Sequence, residues 1–154
     1  MSTHGGAHAN IEAPGSRLTA RAVTQCAGAP YIDATQLTTY LTERKIPGIS
    51  FAPGSFAVVD DSNHYPFHGK TIPAISFTVT NRSVFDAPEL GIEIISALHH
   101  LYPEFSMAKS DHLIANVDTM RALTNQDDPR KIANGWKADL DAFRQRQQPY
   151  LLYR

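Results

Sequence analysis

Apolar residues recur along this chain with two different periods, and the change of period from one segment to the next marks out its elements. The first clear case is IDATQLTTYLTERKIPG, residues 32–48. There Leu37, Tyr40 and Leu41 form a stripe at helical spacing, Asp33 stands where an N-cap belongs, and Pro47-Gly48 stops the helix. The next segment, ISFAPGSFAVVD, is extended, with Ile49, Phe51, Phe56 and Val58 as inward candidates and an interruption at Pro53-Gly54. TIPAISFTVTN alternates Ile75, Phe77 and Val79 against Ser76, Thr78 and Thr80, a strand pattern. The two segments together predict a hairpin with a long connecting loop. Asp86 caps a second helix with Pro88 in its first turn and apolar positions at Leu90, Ile94, Ala97, Leu98 and Leu101, and Pro103 ends it. Leu113, Val117, Met120 and Leu123 predict a short helix within residues 111–123. Pro129 opens a long third helix with Ile132, Trp136, Leu140 and Phe143 on one face. Pro149 breaks that helix, and the final YLLY is expected as a short buried strand. Residues 17–26 fit a strand or a helix, and residues 1–16 have no periodicity and are expected to be a flexible arm. The order predicts an α+β domain over residues 17–154, a small mixed sheet with helices packed on it.

Composition narrows the partners. With 154 residues, 42% hydrophobic and 19% charged, the chain is an ordinary globular one. Fourteen Lys and Arg oppose fifteen Asp and Glu, and no basic run is long enough to track phosphates. Nucleic acid and anionic membrane surfaces are therefore not expected partners. Cys26, the one cysteine, has no partner for an internal disulfide and is expected to be a small buried residue. The N-terminus has no basic and apolar signal pattern, and no apolar run approaches the roughly 20 residues that span a bilayer. A cytoplasmic chain is expected.

The densest polar cluster lies in the loop between the two extended segments: Asp60, Asp61, His64, Tyr65, His68 and Lys70. As a pocket lip it offers His64, His68 and Asp61 as acid–base groups, and Asp60, Tyr65 and Lys70 as ligand contacts. As a solvated hairpin loop, its Asp, Ser and Asn residues serve only the turn. By itself the spacing favours the solvated loop, since most loop residues carry no function. His64 and His68 are four apart, but Pro66 between them forbids a regular helix, and zinc spacing is not met, so no metal is expected. Nor is a cofactor expected, since no Gly-rich phosphate loop, Gly-x-Ser-x-Gly elbow or Cys/His pairing occurs. His99 and His100 end the second helix, where the helix dipole accounts for them. His112, beside Asp111, is one further ligand-contact candidate. Glu93 falls off the apolar stripe of its helix and is expected to be exposed. Trp136 and Tyr150 are expected to pack rather than to carry sugar. Asp60 and Asp61 are adjacent, and no carboxylate is placed opposite them as glycoside hydrolysis requires.

Four ordered stretches carry a resemblance. They are GAPYIDA (28–34), IPGISFAP (46–53), ISFTVTNR (75–82) followed by LHHLYPEF (98–105), and GWKADLDAF with the closing PYLLY. Their order and spacing resemble the C-terminal domain of the bacterial exo-β-N-acetylmuramidases, over about residues 17–154. The resemblance implies a two-domain enzyme that removes terminal N-acetylmuramic acid from glycan ends. In that family a Rossmann-like N-terminal domain supplies the proposed catalytic acids, and the C-terminal domain covers the cleft and contributes to substrate binding. Nothing before Arg17 has the length for such a first domain. The chain also departs from the family. It reads Thr71-Ile72-Pro73-Ala74 where relatives carry a Cys-Gly or Cys-His-Gly step, and Thr80-Asn81-Arg82 where they carry TDR.

Three functions stay open at this point. One is a stand-alone relative binding a small polar or carbohydrate-like ligand, as the accessory half of a split enzyme with a separate Rossmann-like subunit. Another is a repurposed small-molecule enzyme of cyclase or isomerase type using His64, Tyr65, His68 and His112. The third is a homodimeric interaction module.

Overall fold

The computed structural model describes residues 24–59, 67–109, 114 and 116–150. The chain divides into two compact units, residues 1–86 and 87–154. The expected arm at residues 1–16 lies outside the described residues.

The first unit is built on a three-stranded sheet. Strand β1 (Thr24–Gly28) makes the end of the ambiguous segment extended chain, and residues 17–23 lie outside the described residues. Helix α1 (Ala34–Glu43) follows, then β2 (Ile49–Ala57) and β3 (Thr71–Val79). The strand order is β1-β3-β2 and both pairings are antiparallel, so among the described residues the sheet is antiparallel where a mixed one is expected. A parallel neighbour needs a long crossover; here β2 and β3 are joined as a hairpin, and β1 pairs antiparallel with β3 from its other side. Because β3 is central, both of its faces carry core residues. Ile75 is buried on one face, and Ile72 and Ala74 are buried on the other. The alternation that marks β3 in the sequence picks out only the Ile75 side.

Pro53-Gly54 does not interrupt β2, whose pairing with β3 runs unbroken from Ile49 to Ala57. An edge strand tolerates the missing proline N–H. Pro73 likewise sits just past the end of β1, where β3 has β2 alone beside it. Gly28 is required by crowding, since a Cβ there would lie 2.5 Å from the Pro73 carbonyl oxygen and 2.8 Å from the Phe56 ring.

Helix α1 forms as its sequence dictates. Asp33 Oδ1 accepts from the backbone N–H groups of Thr35 and Gln36, both at 2.9 Å, and Leu37 and Leu41 are fully buried. The helix packs on β2 and β3. Beyond it Gly48 adopts φ +73°, and its carbonyl accepts from Thr80 and Asn81, tying the start of β2 to the end of β3.

The second unit holds α2 (Ala87–Leu101), a 3₁₀ turn at Met107–Lys109, α3 (Val117–Thr124), α4 (Pro129–Gln147) and a second 3₁₀ turn at Gln148–Tyr150. Ile92, Met107, Leu123 and Ile132 form its core, with Ile95, Phe105, Ile114, Met120 and Trp136 packed around them. Asn116 caps α3 by accepting from the Thr119 N–H, and Asp128 caps α4 by accepting from the Arg130 N–H.

Four expectations fail in this unit. Glu93 is 1% exposed, not solvated. It is buried beside Ile92, and its carboxylate lies 3.8 Å from the Arg130 guanidinium of α4. A charge-bearing partner lets an acid occupy an interior position, and wheel geometry cannot foresee that. Val117 is 78% exposed because α3 begins there, and Thr119 takes the inward place in the first turn. Leu140 and Phe143 are 44% and 54% exposed, so only the first half of the α4 stripe is covered. Tyr150 lies in a 3₁₀ turn and is 82% exposed, not in a buried strand; residues 151–154 lie outside the described residues.

The α+β class expected from the sequence is what the structure has.

Candidate functional site

Of the loop residues singled out by sequence, His68 and Lys70 are described, and both are exposed. They sit on the return to β3, where Phe67 and Gly69 take φ +69° and +71°. Val58 and Lys70 close the base of the hairpin, with the Val58 N–H donating to the Lys70 carbonyl at 2.9 Å. Asp60, Asp61, His64, Tyr65 and His112 lie outside the described residues. Among the described residues no three His, Cys, Asp or Glu side chains converge as a metal site needs. His100 is exposed at the end of α2, with Nδ1 3.4 Å from Gln126 Oε1.

The described residues do build a concave site around Trp136. The helical phase of α4 that buries Ile132 carries Trp136 onto the core of the second unit. Its indole Nε1–H donates to Thr119 Oγ1 at 3.2 Å. Thr119 is 4% exposed, and its own backbone N–H is held by the Asn116 cap at 2.9 Å. The chain of bonds from cap to hydroxyl to indole fixes the ring plane before any ligand arrives.

Two clefts share Trp136, Thr119 and Asn116. One, of about 410 Å³, is lined by Pro88, Gly91, Ile92, Ile95 and Ile114 and is apolar. The other, of about 330 Å³, sets the charged side chains of Asp118, Asp127, Lys131 and Asp139 beside Gly135, Ala122 and Ile132 and is mixed. Asp118 is paired with Arg121 three residues on. An aromatic ring with an apolar cleft and a hydrogen-bonding cleft beside it suits an amphipathic small molecule.

Each cleft contains a glycine in a helix interior. Gly91 is the fifth residue of α2 and Gly135 the seventh of α4. Such a glycine costs about 0.5–1 kcal/mol relative to alanine. Among the described residues no packing imposes either, since a Cβ at Gly91 or Gly135 would meet nothing within 4 Å beyond its own stretch of helix, and neither has positive φ. Sequence reasoning passed over both residues, although an isolated glycine inside a helical pattern was a visible signal. Trp136, expected to pack, does so and also borders both clefts.

Comparison with known proteins adds the following. The family model for the C-terminal domain of the exo-β-N-acetylmuramidase NamZ matches residues 20–153. Peptidoglycan β-N-acetylmuramidase NamZ of Bacillus subtilis is 28% identical over 130 residues, which cover 82% of this chain and 30% of that protein. The chain thus spans less than a third of that relative. A crystal structure of a DUF1343 family protein from Bacteroides fragilis aligns with a TM-score of 0.56 at 17% identity, covering 84% of this chain and 35% of that one.

Proposed function

Because the chain belongs to the NamZ C-terminal domain family, we propose that it binds a small carbohydrate-like ligand and holds it for a catalytic partner of Rossmann-like architecture. The observation that carries this reading is the fixed Trp136 ring, flanked by an apolar cleft and a mixed one. A pyranose has an apolar face that lies on an aromatic ring and an equatorial rim of hydroxyls that needs hydrogen-bonding partners. Asp118, Asp127, Lys131 and Asp139 are such partners. The relative in Bacillus subtilis acts on peptidoglycan, as its name states, which supports an amino sugar as the ring to try first.

Titration of the 154-residue chain with N-acetylglucosamine and N-acetylmuramic acid, followed by amide and indole chemical shifts, tests this. The Trp136 indole N–H is expected to move, and Trp136→Ala is expected to weaken binding by about 1–3 kcal/mol, the order of a single stacked ring. Shifts confined to His68 and Lys70 would move the site to the hairpin loop. A folded spectrum with no shifts anywhere would sink the carbohydrate reading.

A further inference from the structure

Two features of the Trp136 site go beyond general affinity for sugar. Its clefts differ in chemistry, and each holds one helix-interior glycine that packing among the described residues does not demand. We infer that Gly91 and Gly135 are specificity-determining positions, kept open so that two different edges of one amino sugar lie against bare helix surface. The inference rests on the reading of Trp136 as the ligand platform.

The argument runs from the lining residues. Beside Gly91 stand Pro88, Ile92, Ile95 and Ile114, which offer no side-chain hydrogen bond, while the cleft's polar residues, Asn116 and Thr119, already accept from the Thr119 N–H and the Trp136 indole. A hydroxyl placed against these four apolar residues would lose its water without replacement, whereas a methyl group gains from burial. That cleft therefore takes the methyl of an acylated amine, such as an acetamido group. Beside Gly135 stand Asp127, Lys131 and Asp139, which both donate and accept. That cleft takes the hydroxyl-bearing edge. Trp136 borders both clefts, and the assignment has one ring on it presenting an edge to each. A methyl at either glycine fills the space meant for the ligand, because among the described residues no atom outside its own stretch of helix lies within 4 Å of the added Cβ. Stability and binding then move in opposite directions, which an ordinary helix position does not produce.

The experiment uses the full chain, Gly91→Ala and Gly135→Ala, with N-acetylglucosamine and glucosamine as probes. Each alanine is expected to raise Tm by about 2–4 °C in the absence of sugar. Gly91→Ala is expected to weaken N-acetylglucosamine about tenfold, the effect of one methyl-sized intrusion, and to leave glucosamine nearly unchanged. Gly135→Ala is expected to weaken both sugars alike. Raised Tm with unchanged affinities would overturn the inference and leave Trp136 as a platform. Equal weakening of both sugars by Gly91→Ala would overturn the assignment of the acyl group to the apolar cleft. A lowered Tm would show that the glycines serve the helices themselves and would likewise overturn it. Failure of the unaltered chain to bind either sugar defeats the underlying function instead, which separates the two claims.

Discussion

At the scale of single residues, chemistry here is decided by what surrounds a side chain more than by what it is. Cys26 lies half-buried on β1, and desolvation raises its thiol pKa above the ordinary value. The sign follows directly. The protonated thiol is the form the fold favours, so its contribution is complete below the unfolded thiol's pKa and is lost as pH rises through the folded one. Iodoacetamide at pH 8 is therefore expected to alkylate Cys26 more slowly in the folded chain than in urea, with the ratio narrowing at higher pH; equal rates would contradict the shift. The same dependence on surroundings explains why Glu93 misleads a reader of the sequence. Its neighbours Ile92 and Ile94 are one residue away, whereas Arg130, which faces it, is 37 positions along the chain. Gly91 and Gly135 carry a local signal by contrast, a glycine among good helix formers, which a reading of apolar stripes alone does not weigh.

At the scale of elements, boundaries were written locally and coverage was not. Asp33, Asn116 and Asp128 each cap a helix through a side-chain oxygen, and β3 shows its alternation plainly. What no local pattern gives is how much of an apolar stripe another element will cover. On α4 the stripe continues from Ile132, 9% exposed, to Phe143, 54% exposed, with unchanged spacing. A stability series along the unit makes the difference measurable. Leu140→Glu and Phe143→Glu are expected to change unfolding free energy by less than about 0.5 kcal/mol each. Leu123→Ala, at 1% exposure, is expected to cost about 2–5 kcal/mol. Urea titration checks both, and comparable losses at all three sites would mean that the far half of α4 is covered in solution.

At the scale of the whole molecule, the α+β class and the family followed from the order of elements and from four short stretches spread along the chain. The arrangement of strands did not, since β1 and β3 pair across most of the first unit and nothing in either segment names the other. The Trp136 clefts were hidden for the same reason, being assembled from α2, α3 and α4 together. That strand order also has a consequence for how the protein is made. The central strand is the last of the three to be translated, and the residues that β1 must join, Ala74 to Thr78, follow it by a whole helix and another strand. Until Val79 clears the ribosome, β1 and β2 are two borders with no middle, and their backbone groups have only water or each other to satisfy them. Nascent chains arrested before Thr71 are expected to be cut readily by protease, and chains arrested far enough beyond Val79 to expose it are expected to resist. Protection appearing before β3 emerges would mean that the first unit begins to fold by some route other than its sheet.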